Sequence, residues 1–414
     1  MLTDFVPALR RQFPALSRMH NHVPVAYFDG PAGTQVPQRV IEAIGDYLAH
    51  KNANHGGAFA TSRESDVLLE EAHRAVAQLL GASDPECVVF GQNMTSLTFA
   101  ISRSLAKTWQ PGDEIVVTKL DHDANVSPWV LAARDAGAEV KFVELDPENC
   151  TLDLEDFRRK ITPRTRLVAV GCASNATGGI NPVREICGWA KQVGALTYLD
   201  AVHYAPHALI DVQAWGCDFL ACSAYKFFGP HLGIMWGRRE LLESLHAYKV
   251  RPATNTLPGK WMTGTQSHEA IAGALAAIDY LADLGREVSS DDLPDRRAAL
   301  VHAFAAIVEY ERGLAAQLLE GLTALDAIKV WGICSVDRLS ERVPTFSITH
   351  AKLTPLELVQ RLDAHGIYAW HGNYYALNLS EGLGHEPQGM VRIGMVHYNT
   401  HSEVERLLGV LEAL

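Results

Sequence analysis

The sequence predicts an α/β protein: a large doubly wound domain with a mainly parallel sheet, followed by a smaller α+β domain. Three observations carry this reading. From about residue 86, short apolar runs alternate with stretches of helical period. Those runs lack the polar alternation of a half-exposed strand, so they suit a sheet covered on both faces. After about residue 260 the rhythm changes, and the tail reads strand, strand, helix, strand, strand, helix.

The strand candidates of the large domain are ECVVFG (86–91), EIVVTKL (114–120), AEVKFVEL (138–145), TRLVAVG (165–171), ALTYLDAV (195–202) and FLACSAY (219–225). Helical segments such as WVLAARDAG (129–137) and VREICGWAKQVG (183–194) lie between them. A helix over 267–281 leads through the polar break SSDDLPD (289–295) into a long helical run to about 321. The tail then offers IKVWGI, TFSITH, TPLELVQRLDAHG, YAWHG, MVRIGMVHY and SEVERLLGVLEAL. The expected division is an N-terminal arm over 1–60 packing on both domains, a large α/β domain over 61–285 and a small α+β domain over 286–414. Ligands of such a sheet sit beyond the strand C-termini, and the inter-domain cleft is the default site.

Composition narrows the function classes. The 414 residues are 48% hydrophobic and 20% charged, which are globular values. With 36 basic and 48 acidic residues, the net charge is −12 and no dense basic run offsets it. Nucleic acid and anionic membrane surfaces are therefore disfavoured as partners. The seven cysteines are scattered and form no C-x-x-C pair, against a disulfide framework or a zinc site. The N-terminus lacks the apolar core of a signal peptide, and IAGALAAI (271–278) is too short to span a bilayer. A soluble cytoplasmic protein is expected.

The polar residues at the strand ends carry the chemistry. Asp200 and His203 end ALTYLDAV, while Ser223, Tyr225 and Lys226 end FLACSAY. His122 and Asn125 follow EIVVTKL, and Asn175 follows TRLVAVG. GQNMTSLTF (91–99) opens a helix with Thr95 and Ser96 at its start. Singly, each has an ordinary structural reading: a surface lysine, a helix cap, a histidine pair on a turn. The i, i+4 spacing of His203 and His207 superficially suits a metal, but Pro206 disfavours a regular helix and no H-E-x-x-H is present. Together they match what pyridoxal 5′-phosphate requires: an amine, an acid for the pyridine nitrogen and donors for the phosphate.

The ordered series YFDGPAG (27–33), NMTSLTF (93–99), DHDANVSPW (121–129), SNATGGINPV (174–183), YLDAVHYAPH (198–207), SAYKFFGP (223–230) and VRIGMVHYNT (391–400) resembles the class V aminotransferase superfamily. Within it, the chain is most similar to the cysteine desulfurase and selenocysteine lyase branch. The resemblance spans nearly the whole chain and is most specific from Asp200 to Pro230. It implies a fold-type I enzyme of pyridoxal phosphate acting on an amino acid, and a homodimer with shared active sites. Carried over by position, Lys226 holds the cofactor covalently, Asp200 pairs with the ring nitrogen and His122 stacks on the ring. Thr95, Ser223 and Tyr225 fall in the phosphate cup, Met94 is a further cofactor contact, and Thr265 reaches the phosphate from the partner subunit. Asn175 lies by the ring oxygen and the substrate, His203 by the ring oxygen, and Arg392 clamps the substrate carboxylate. No metal is implied.

The departures bear on the reaction. The branch carries a loop cysteine in a stretch resembling R-x-G-H-H-C-A, whereas here WHGNYYA (370–376) puts Tyr375 where the thiol would be and Trp370 in place of the arginine. Cys334, the nearest cysteine along the chain, is expected to be packed beside the IKVWGI strand. His203 and Tyr225 replace the branch's usual Gln and His but keep hydrogen-bonding side chains. The expectation is Cα deprotonation followed by β-elimination, a C–S or C–Se lyase without an enzyme persulfide. Transamination and epimerisation are the alternatives, and a retired scaffold is the non-enzyme reading. A nicotinamide site lacks its G-x-G-x-x-G turn. Trp370 and Tyr375, with His371, Asn373 and Tyr374, are expected to face the substrate side chain.

Overall fold

The computed structural model describes residues 2–414. The large sheet consists of β1 (Val88–Gly91), β2 (Glu114–Thr118), β3 (Glu139–Val143), β4 (Thr165–Gly171), β5 (Leu196–Asp200), β6 (Phe219–Ser223) and β7 (Gly233–Gly237). Their spatial order is β1-β7-β6-β5-β4-β2-β3. From β6 to β3 every pair is parallel, and β7 inserts antiparallel between β1 and β6. Ile115–Val117, Leu167–Val170 and Phe219–Cys222 are buried residue after residue, because helices cover both faces. The sheet is thus the doubly wound, mainly parallel one that the unbroken apolar runs predict.

β7 is the strand that sequence reasoning passes over. GIMWG is a five-residue run between two glycines, too short to stand out by period. Its register matters for the site: Gly233 pairs with Ser223 on one side and with Gly91 on the other. Three chain segments are thereby brought side by side at one end of the sheet.

The helices used below are α1 (Ala60–Leu80), α2 (Met94–Ala106), α3 (Ser127–Ala136), α4 (Val183–Val193), α5 (His268–Val288) and α6 (Arg296–Thr323). The polar break between α5 and α6 ends at Asp295, whose side chain caps α6 by accepting from the Ala298 N–H. α5 and α6 cross closely, since a Cβ on Gly285 would lie 1.8 Å from the Ala299 carbonyl oxygen. Only glycine permits that approach.

The small sheet contains β8 (Ile328–Trp331), β9 (Thr345–His350), β10 (Trp370–Gly372) and β11 (Met390–Gly394) in the order β8-β9-β11-β10, all antiparallel. α7 (Pro355–Ala364) and α8 (His401–Glu412) each begin with a capping box, Thr354 with Glu357 and Thr400 with Glu403. The predicted strand YAWHG divides: Ile367–Tyr368 pairs with Ala26–Tyr27, and only Trp370–Gly372 joins the small sheet. The N-terminal segment therefore touches both units. Phe28 N–H donates to Tyr368 O at 2.8 Å, and Thr34 N–H to Tyr225 O at 3.1 Å. No helix among the described residues is long and apolar enough to cross a membrane.

Candidate active site

A cavity of about 440 Å³ lies at the C-terminal ends of the large-sheet strands, closed on one side by the small sheet. β5 delivers Asp200 and His203, β6 delivers Ser223, Tyr225 and Lys226, and the turn after β4 delivers Asn175. His122 arrives from the turn after β2, and Met94 and Thr95 from the start of α2. The opposite wall is Trp370, Tyr374, Tyr375 and Arg392.

The start of α2 is fixed by two local devices. Asn93 caps the helix, its Oδ1 accepting from the Ser96 N–H at 2.8 Å. A Cβ on Gly233 would sit 2.3 Å from the Asn93 carbonyl carbon, so β7 can lie this close only as glycine. The first-turn amides of a helix lack intrahelical acceptors, and here they border the cavity beside Ser223, a ready anion site.

Charge is arranged along the floor. Burial pushes the Asp200 carboxyl up to about 6, opposed by the Val202 N–H it accepts at 2.8 Å and by Lys226. Burial, helped by Arg392 and opposed by Asp200, pushes the Lys226 amine down to about 7. Lys226 Nζ donates to the Pro31 carbonyl and lies 4.9 Å over the Tyr225 ring, which stacks on His231. His122 is held neutral: burial, then Lys226 and Arg392, bring it down to about 4. Its Nδ1 accepts from the Ala124 N–H at 3.0 Å.

Arg392 stands across from this floor on β11. It is buried, donates to Asn175 O at 2.8 Å and lies 4.4 Å over the Tyr374 ring. Burial lowers its pKa to about 10. Asn175 Nδ2 donates to Tyr374 O at 2.9 Å. Arg392 Nε and Asn175 Oδ1 are both buried without a hydrogen-bond partner. Orphaned polar atoms at a cavity wall are positioned for a ligand, because leaving them bare is costly.

Class-V aminotransferases, as a family, match this chain over residues 26–407. The chain belongs to the class-V aminotransferase family. A cysteine desulfurase of Pectobacterium carotovorum subsp. carotovorum (strain PC1) is 30% identical to it over 424 residues, spanning 99% of this chain and 98% of that protein. The aminotransferase-like protein FGM3 of Gibberella zeae is 31% identical over 415 residues, spanning 98% and 97%. Among solved structures, the apo cysteine desulfurase of Thermococcus onnurineus NA1 has a TM-score of 0.87 at 28% identity, covering 98% of this chain and 97% of that one. The cysteine desulfurase CsdA of Escherichia coli has a TM-score of 0.83 at 27% identity, covering 99% and 98%. This class-V enzyme depends on pyridoxal phosphate and falls in the cysteine-desulfurase-like branch.

The residues present fit that cofactor. A lysine held near neutrality, a buried carboxylate, a planar imidazole and a helix N-terminus with hydroxyls meet in one cavity, with the orphaned Asn175 and Arg392 atoms at its wall. Of the residues singled out from sequence, Met94, Thr95, His122, Asn175, Asp200, His203, Ser223, Tyr225, Lys226, Trp370, Tyr374, Tyr375 and Arg392 line the cavity, and Thr265 does not. Thr265 instead borders a second cavity of about 1170 Å³, with His55, Thr254 and His268. Asn125 acts one step back: it donates to Asp121 at 2.8 Å and accepts from the Trp129 indole at 3.0 Å, which shapes the turn carrying His122. His203 and His207 meet edge to face at 5.5 Å but bond to different partners, His203 to Thr345 Oγ1 at 3.0 Å and His207 to Glu311 at 2.8 Å. His371 and Asn373 do not line the cavity, and Asn373 instead donates to Glu386 at 3.0 Å.

Sequence reasoning missed Asp29 and misplaced Cys334. Asp29 lines the cavity, and burial raises its carboxyl to about 6 against the pull of Arg392. It sits in YFDGPAG, one of the motifs behind the resemblance, but far from any predicted strand end. Its bridge to Gly394 brings it in. Cys334 is exposed rather than packed. β8 stops at Trp331, and Gly332 takes a φ of +106°, so the chain leaves the edge of the small sheet before Cys334.

Proposed function

We propose that this class-V enzyme cleaves the Cβ–S or Cβ–Se bond of an amino acid by β-elimination, and that it does so without an enzyme persulfide. The observation that carries this reading is the identity of the rim: Tyr375, which the sequence resemblance aligns with the branch's thiol, lines the cavity, and none of the seven cysteines does. A phenol cannot accept a sulfur atom as a persulfide, so the leaving group must depart on its own electrons.

Lys226, Asp200, His122, Asn175 and His203 would hold the cofactor's aldehyde carbon, ring nitrogen, ring face and ring oxygen, and Thr95, Ser223 and Tyr225 its phosphate, with Met94 beside them. Bound there, pyridoxal phosphate supplies an electron sink for the pair left at Cα. The chain's own residues do the rest. Arg392 binds the substrate carboxylate, a task its planar fork suits and for which its Nε is free. Lys226 takes the Cα proton, its amine brought near neutrality by the buried floor. Asp200 keeps a proton on the ring nitrogen by charge. His122, neutral, packs without competing for that proton.

The position of Thr265 supports a homodimer: it lies outside its own chain's cavity, in a stretch that in this branch reaches the partner's phosphate site. The experiment that tests the reaction is an amino-acid panel with the purified holoenzyme, read by mass spectrometry. Pyruvate with ammonia and a released sulfur or selenium species is expected. A keto acid retaining the substrate side chain would replace elimination with transamination, the reading that the Gibberella relative's name favours, and a D-isomer would replace it with epimerisation.

A further inference from the structure

Two aromatic side chains stand at the mouth of the cavity with much of their ring surface exposed. Tyr375 is 71% exposed and Trp370 53% exposed, yet both line the site. Aromatic surface left in water at a site's mouth gains most from a ligand that covers it. The backbone beneath Tyr375 is fixed in an unusual shape. Tyr374 and Tyr375 both lie in the left-handed region, with φ of 55° and 60°, which L side chains avoid unless they are held there.

They are held. The Asp123 N–H donates to Tyr375 O at 2.7 Å, Asn175 donates to Tyr374 O at 2.9 Å, and the Tyr375 N–H donates to Asn373 Oδ1 at 3.1 Å. One face of the Tyr375 ring stacks on His122, at 5.3 Å between centroids and 25° between planes. Trp370 pairs across the strands with Arg392, so it stands beside the residue assigned to the substrate carboxylate. A rim built this firmly presents its rings in a defined place.

We propose, resting on the elimination reading, that Tyr375 and Trp370 seat the substituent of an S-substituted L-cysteine bearing an aromatic group on sulfur. Such a thioether suits a site without a nucleophilic thiol, because its sulfur leaves as a thiolate. Lys226 takes the Cα proton, the Cα pair forms the bond to Cβ, and the Cβ–S bond breaks with its pair on sulfur, which then takes a proton. Overall, one water is consumed and a thiol, pyruvate and ammonium are released. Nothing is oxidised or reduced.

The test compares S-benzyl-L-cysteine with S-methyl-L-cysteine in the holoenzyme. Equimolar thiol and pyruvate are expected, with kcat/KM favouring the benzyl compound. Tyr375→Ala and Trp370→Ala should each reduce that preference about threefold to tenfold, the size of one aromatic contact. Tyr375→Phe, which keeps the ring, should retain it. A binding readout accompanies activity: in the Lys226→Ala background the Kd for S-benzyl-L-cysteine should weaken by the same factor with each rim variant. Elimination with a benzyl-to-methyl ratio unmoved by either alanine variant would overturn the clamp and leave the lyase reading intact. Dissociation of the alanine variants in sedimentation would overturn it by assigning the rings to a subunit interface. A keto acid that keeps the thioether, in place of pyruvate and thiol, from both substrates would overturn the lyase reading itself.

Discussion

The floor and the rim of the cavity are built in opposite ways. The floor, with Asp200, Ser223 and Lys226, hangs from neighbouring strands of the large sheet whose register fixes each residue against the next. Its side chains are titratable or polar, and burial shifts their proton affinities. The rim, residues 370–376, is a short edge strand and a turn of two left-handed tyrosines, and two of its three large side chains, Trp370 and Tyr375, face solvent while Tyr374 is buried. A floor of this kind meets the requirements of a cofactor, which do not change with the substrate. A rim of this kind meets those of a leaving group, which do.

The largest effect that would sharpen this division is at Lys226. Lys226→Ala should cut turnover by roughly a thousandfold or more, the scale of a lost general base. Borohydride reduction of the wild-type holoenzyme followed by peptide mapping should place the pyridoxyl group on Lys226 and leave the variant unlabelled. A label on another lysine would move the centre of the floor elsewhere.

Asp200→Asn should lower turnover by roughly a hundredfold while still binding cofactor, because an amide no longer favours the protonated ring nitrogen. The same variant makes a second prediction, of opposite sign, for the apoprotein. Burial raises the Asp200 carboxyl from 3.8 to about 6, so between those values the folded state binds more protons than the unfolded. Stability present below the lower value is lost as pH rises through the upper one, by about 2–3 kcal/mol for this group. Asp29 and Asp121, raised to about 6 and about 7 by their burial, act in the same direction. The apo form of the variant should therefore melt higher than wild type at pH 7.5, with the difference shrinking at pH 4.5. Equal melting at both would show that Asp200 is not charged in the empty floor.

The same division explains what the sequence made legible. Strand ends are readable because an unbroken apolar run followed by a polar residue is a local signal, and Asp200, Ser223 and Lys226 each sit at one. Asp29 is not readable this way: it reaches the floor through one bridge to Gly394 and a pairing of Ala26–Tyr27 with Ile367–Tyr368, both long-range. β7 hid because two glycines frame a run shorter than the period test can use. The left-handed turn at Tyr374 and Tyr375 carries no glycine or asparagine at those positions to announce it, since it is imposed by partners from Asp123 and Asn175. Local pattern thus yields the strand-end residues of the floor, and long-range contact yields Asp29 and the shape of the rim turn.

The smallest expected effect probes the rim from outside. Cys334 is the one exposed cysteine, and its place in a loop beyond β8 invites the thought that it swings in as a sulfur acceptor. Its surroundings argue otherwise. Its thiol donates to Gly332 O at 3.2 Å, and burial of the sulfur raises its pKa against Arg342 and Lys329, which keeps it protonated and a poor nucleophile. Cys172 and Cys222 lie next in sequence to cavity residues, but both are buried within the sheet layer with their thiols pushed up by burial. Cys334→Ser should therefore leave elimination within about twofold of wild type, the scale of a surface substitution. Incubation with L-cysteine, trapping with an alkylating agent and mass spectrometry should find no persulfide on any of the seven cysteines. A stoichiometric persulfide on Cys334 that disappears in the serine variant, together with loss of product, would move the sulfur chemistry from the leaving group to the protein and erase the distinction between this rim and that of a desulfurase.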